Sequence, residues 1–135
     1  MALQVSVAVQ NGMLDAVEVA VGPSAVMKIR TGPPPATCAT ADSGSVLATL
    51  NLPADWMANA ASAVKSLSGT WQDTSADAAG TAGHWRIYAS DGTTCHLQGT
   101  VTATGGGGDL TLDTVTINSG QVVSISSFSI SAANG

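Results

Sequence analysis

Residues 83–101, GHWRIYASDGTTCHLQGTV, constrain what this chain can fold into more than any other stretch. Two runs suited to strands flank Ser90, Asp91 and Gly92. These three residues suit a hairpin loop in which Gly92 takes the left-handed conformation that closes a type I turn and bulge. Pairing Ala89 with Thr93 sets Ile87 opposite Cys95 and Trp85 opposite Leu97. All four then share one face, and Arg86, Tyr88, Thr94 and His96 share the other. A two-residue loop would bring Trp85 across from Gln98 and mix the faces, so the side-chain pattern selects the register.

The segments around this hairpin point the same way. Val9, Met13, Val17 and Val21 recur every four residues beside Ala16 and Ala20, with Asn11, Asp15 and Glu18 opposite them. That pattern predicts an amphipathic helix over residues 6–21, stopped by Gly22 and Pro23. Residues 1–22 therefore read as an N-terminal helical arm, which either packs on its own β body or docks on a neighbour. Residues 25–31 alternate as a strand with Met27 and Ile29 inward and Lys28 and Arg30 in water. Pro33, Pro34 and Pro35 open a stiff loop that runs to residue 44. In residues 45–52, Val46, Ala48, Leu50 and Leu52 share a strand face. Residues 54–67 read as weakly ordered, with Trp56 packed on a sheet edge or on a partner. Residues 70–75 suit a strand, and residues 75–83 a loop. Further short strands lie near 110–112 and 115–117. Val123 and Ile125 are out of phase with Phe128 and Ile130, which predicts a β-bulge at Ser126 and Ser127. One helix followed by six to eight short strands predicts a mainly β fold. The architecture expected is an antiparallel, jelly-roll-like β-sandwich forming one domain over residues 1–135.

Charge narrows the function. Four basic residues face nine acidic ones, giving a net charge of -5, and only 10% of residues are charged. No basic stripe exists to displace counterions from phosphates, so a nucleic-acid partner is not expected. No cationic leader precedes an apolar core and no uninterrupted apolar stretch is long enough to span a bilayer, so no membrane partner is expected. The four glycines at 105–108 read as a connector, because a strand and no Lys-Ser/Thr pair follows them. His84 and His96 read as surface strand histidines without a nucleophile at a readable spacing. Asp73, Asp77, Asp91, Asp109 and Asp113 read as turn formers more readily than as a calcium site or a glycosidase pair. Cys38 and Cys95 read as buried thiols, with a single cross-link as the alternative. No catalytic residue, metal ligand or cofactor is expected. Trp71 and Tyr88 offer the one sugar-stacking platform the sequence suggests.

One resemblance covers nearly the whole chain. It rests on Met13-Leu14-Asp15-Ala16-Val17-Glu18, on Val26-Met27-Lys28-Ile29-Arg30-Thr31-Gly32 and on Pro34-Pro35-Ala36. It continues through Gly44-Ser45-Val46-Leu47-Ala48-Thr49-Leu50, Gly83-His84-Trp85-Arg86-Ile87-Tyr88, Asp91-Gly92, Val123-Ser124-Ile125 and Phe128-Ser129-Ile130. In these the chain resembles small virion-associated proteins of tailed bacteriophages and prophages. The resemblance implies a non-enzymatic structural protein of the particle, first of all a capsid decoration (cement) protein. Such a protein is assembled in the host bacterial cytoplasm and lies on the capsid surface. It implies two partners, the major capsid protein and copies of the chain itself as a dimer or trimer. The contact residues then expected are Val9, Met13 and Val17 on the helix, Pro33, Pro34 and Pro35 in the loop, and Trp56. A tail- or neck-associated protein, or a carbohydrate-binding adhesion module using Trp71 or Tyr88, is the alternative.

Overall fold

Ser6 begins the regular structure: its side chain accepts a hydrogen bond from the Val9 amide and caps helix α1, Val7–Val21. The computed structural model describes residues 3–132. After α1 come ten strands: β1 Val26–Thr31, β2 Val46–Asn51, β3 Val64–Ser66, β4 Trp71–Asp73, β5 Gly80–Tyr88, β6 Cys95–Ala103, β7 Leu110–Leu112, β8 Thr116–Ile117, β9 Val123–Ile125 and β10 Ser129–Ser131. The fold is mainly β with one helix.

The main sheet runs β2-β1-β5-β6-β7, with β8 added on the first residues of β5. Two-stranded pairs β3–β10 and β4–β9 complete the body. β6 and β7 are parallel, with Val101 beside Leu110, so the main sheet is mixed and not purely antiparallel. Parallel neighbours ordinarily need a crossover of a dozen residues or more. Here residues 104–109 suffice because of the glycine run. Gly105 and Gly107 adopt φ of 91° and 79°, and a Cβ on Gly106 or Gly108 would meet the Thr102 side chain at 2.8–2.9 Å.

The hairpin forms in a different register from the one its pattern predicts. Ala89 donates to the Thr94 carbonyl, Tyr88 pairs with Cys95, and Ile87 pairs with Leu97. The loop is one residue longer than expected, and a bulge at the start of β6 takes up His96. Gly92 is left-handed as the turn requires, with φ of 70°. Residues 54–67 are held by bridges and by β3. The slip between Ile125 and Phe128 is not a bulge within one strand. There the chain leaves β9, paired to β4, and enters β10, paired to β3.

The core lies between these layers. Met27, Ile29, Leu47, Leu50, Trp56, Trp71, Trp85 and Phe128 are all buried in it. Its aromatic spine is continuous: ring centroids are 5.9 Å apart for Trp56–Trp71, 5.3 Å for Trp71–Phe128 and 5.1 Å for Trp85–Phe128. The last two contacts are edge-to-face, the arrangement that ring quadrupoles favour.

Candidate functional site

Helix α1 packs on the body with a mixed side that carries Asn11, Asp15 and Glu18 beside Leu14, Val17 and Val21. Asn11 accepts from the Ala63 amide and Asp15 from the Ala60 amide, each at 2.9 Å. The Lys65 ammonium of β3, almost fully buried, reaches Asp15 at 2.8 Å and Glu18 at 2.9 Å and donates to the Ala58 carbonyl at 2.9 Å. Burial disfavours the charged Lys65, yet the hydrogen bonds it donates to the two carboxylates outweigh it and raise its pKa. The Lys65 hydrogen bond, helped by the Ala60 amide, lowers that of Asp15. Gln10, Leu14 and Val21 are buried on the same side.

The opposite side of α1 carries only apolar and small residues, and it faces solvent. Val9 is 48% exposed, Met13 55% and Val19 81%, with Leu3 and Val7 exposed at the N-terminal end. Ala8, Gly12, Ala16 and Ala20 lie among them and are also exposed. No charged residue interrupts this face. Of the expected helix contacts, Val9 and Met13 are free for a partner, whereas Val17 is half-buried against the chain's own core.

The second feature is a latch on the far face of the main sheet. Arg86 and Tyr88 of β5, Arg30 of β1 and His84 are buried. The loop of residues 33–44 covers them, so the expectation of solvent-facing Arg30 and Tyr88 and surface His84 does not hold. Arg86 uses every guanidinium nitrogen. Nη1 donates to Asp42 at 2.6 Å, Nη2 to the Thr37 and Thr40 carbonyls at 2.9 Å, and Nε to Gln98 at 3.0 Å. Asp42 also accepts from the Tyr88 hydroxyl at 2.7 Å and from Arg30 at 3.1 Å. Partial burial works against the Asp42 carboxylate, but these hydrogen bonds and the two guanidinium charges hold its pKa below the usual range. Burial and the Asp42 hydrogen bond push the Tyr88 hydroxyl up.

The remaining expected contacts divide. Pro33 is exposed at the start of the covering loop, while Pro34 and Pro35 are half-buried and the Pro35 carbonyl accepts from Gln98 at 2.7 Å. Trp56 is not on the surface at all. It is fully buried and donates its indole N–H to the Gly22 carbonyl at 3.0 Å, which anchors the end of α1. Trp71 and Tyr88 are fully buried too, so neither offers a sugar-stacking platform. His84 donates from Nδ1 to the Gly32 carbonyl at 2.8 Å, and His96 is exposed at the bulge.

Loop carboxylates serve the backbone. Asp73 accepts from the Thr49 and Ser75 amides, Asp91 from the Thr93 and Thr94 amides, and Asp109 from the Thr100 amide. Among the described residues, no three His, Cys, Asp or Glu side chains come together as a metal site. Cys38 and Cys95 are both free thiols and lie beside one another where the covering loop meets β6. Burial, with the neighbouring Cys38, pushes the Cys95 thiol up to about 12.

Arg86 and Asp42 were the pairing that sequence reasoning missed. The available signal was the single acidic residue in the loop of residues 33–44, set against arginines in two strands. Lys65 with Asp15 and Glu18 left no such signal, since fifty residues separate Lys65 from Asp15. No protein-family model, no curated protein and no solved structure matches the chain.

Proposed function

We propose that this chain is a non-enzymatic binding protein that works by covering and cementing a larger assembly. More particularly, we propose a capsid decoration protein of a tailed phage, seated on the major capsid protein shell as a dimer or trimer, with its β body a variant of the jelly-roll sandwich. The resemblance described above supplies the particle. The observation that carries the binding role is the uncharged apolar face of α1, held outward by the ion pairs on its other side. An exposed apolar patch of this kind marks an interaction surface. It can be covered without stranding a charge. Repeated over a lattice, a modest contact of this size becomes durable through multivalency.

The test mixes the purified protein with assembled heads, and separately with tails, of the phage or prophage that carries it. Co-elution with heads, abolished by the pair M13K and V19E, is the expected result. Binding to tails alone would move the protein to the tail or neck. Heads bound equally well by the double variant would remove the α1 face from the interface.

A further inference from the structure

A cleft of about 340 Å³ separates β6 from β10, lined by Trp85, Leu97, Gln98, Phe128 and Ile130, with Asp109 at its rim and Ser129 and Ser131 along β10. Both of its long sides are unpaired strand edges. In β10, Phe128 and Ala132 exchange hydrogen bonds with the segment containing β3, through the Leu67 amide and the Ala63 carbonyl. Backbone direction alternates along a strand, so Ser129 and Ser131 turn their N–H and C=O groups away from β3. In β6, the Thr100 amide points away from β5, because it donates to Asp109 at 3.0 Å. The same alternation turns the Gln98 backbone outward. β7 begins to pair with β6 only at Val101, so residues 97–99 have no neighbour on that side among the described strands.

We infer that this gap is a docking slot for an extended segment of another polypeptide, which completes the sheet between β6 and β10. The chemistry of the occupant follows from the lining. The main chain is recognised by the free groups of Gln98, Ser129 and Ser131, as in strand addition. Alternate side chains of the occupant are apolar, because the side chains of Trp85, Leu97, Phe128 and Ile130 line the slot. The indole N–H of Trp85, buried without a protein partner, belongs to this lining. At the Asp109 end the occupant carries a lysine or arginine. Asp109 is exposed there, and the chain's net charge of -5 favours a basic partner. Asp109 also explains why the slot ends where it does: its carboxylate takes the hydrogen bond that a neighbouring strand would accept from Thr100. The slot does not depend on membership of a virion.

The test tethers a strand so that weak affinity becomes readable. A flexible Gly/Ser linker after residue 135 carries a seven-residue segment alternating valine and threonine and ending in lysine. Tethering supplies an effective concentration in the millimolar range. The expected result is a thermal midpoint at least about 4 °C above that of a control fusion with proline at alternate positions, a gain on the scale of a single modest contact in a domain of this size. Hydrogen exchange at the Gln98, Ser129 and Ser131 amides should slow at least tenfold in the strand fusion alone. Equal midpoints for the two fusions overturn the proposal, as does a raised midpoint with those amides unprotected. An untethered protein that is already a dimer with the three amides protected would give the slot to a second copy and would also overturn it.

Discussion

Asp42 bears more of the structure than its place in a loop would suggest. It is the common acceptor for Arg86, Arg30 and Tyr88, and two of these three partners are guanidinium groups. Removing it in D42A leaves two buried cations facing each other. Breaking a buried pair costs about 3–5 kcal/mol, and the 37% exposure of the Asp42 side chain lets water recover part of that. A loss of about 3 kcal/mol, read as a lower urea midpoint with an unchanged slope, is expected. The pH dependence has a definite sign. Asp42 and Asp15 have folded pKa values below the unfolded value of about 3.9, so their stabilisation is complete above about pH 4 and is lost as pH falls through the folded values. D42N should show a shallower loss of stability below pH 4 than the parent. Lys65 gives the converse case. K65M removes the buried charge itself and leaves Asp15 and Glu18 where water can reach them, so it should cost at most about 1 kcal/mol. The pair D15N and E18Q strands the ammonium and should cost clearly more than K65M, read as a lower urea midpoint. Equal losses in the two variants would show that burial of Lys65 is not what sets the balance.

Among the elements, α1 shows best what the sequence could reveal. Its limits were legible: the four-residue apolar repeat and the stop at Gly22 and Pro23 give a helix over residues 6–21, and α1 is Val7–Val21. Its orientation was not, because an apolar stripe ordinarily turns inward. Here only Val17 and Val21 of the stripe turn inward, while Val9 and Met13 face solvent, because the buried charge of Lys65 needs Asp15 and Glu18, and pairing across fifty residues leaves no local trace. In the hairpin, the turn and Gly92 were legible, but a bulge costs little locally and shifts every pair beyond it, so the register was not. The inward Met27 and Ile29 of β1 were right, while Arg30 was buried by a loop whose path no periodicity encodes. Of the proposed contacts, Val9 and Met13 survive as surface and Trp56 does not. Gly12 lies on the exposed face of α1, where an added Cβ meets nothing within 4 Å. G12A should therefore stabilise the isolated protein by about 0.5–1 kcal/mol. A thermal melt that fails to rise would mean the glycine relieves strain that its surroundings do not show.

At the level of the whole molecule, α1 is part of the body and not an appendage. It supplies both carboxylates to Lys65, and the Gly22 carbonyl beyond its end holds the Trp56 indole. Removing residues 1–22 should destabilise the remainder by at least about 3 kcal/mol. The check is denaturant unfolding followed by tryptophan fluorescence, since Trp56 and Trp71 share the core. A truncated form as stable as the parent would restore the picture of a detachable arm. The β-rich class and the single helix were thus open to sequence reasoning, through alternation and turn residues. The mixed sheet was not, because the parallel β6–β7 step depends on four glycines closing a loop too short for the usual crossover.

The position of β3 also sets an order on biosynthesis. Helix α1, translated well before β10, rests on a strand whose own partner is β10 at residues 129–131. The Gln10 side chain even donates to the Ala132 carbonyl at 2.7 Å. At roughly 5–20 residues per second, the nascent helix waits at least about six seconds for the strand that completes its seat. During that interval the inward side of α1, with Leu14 and Val21, stays uncovered, and Asp15 and Glu18 lack their buried partner Lys65.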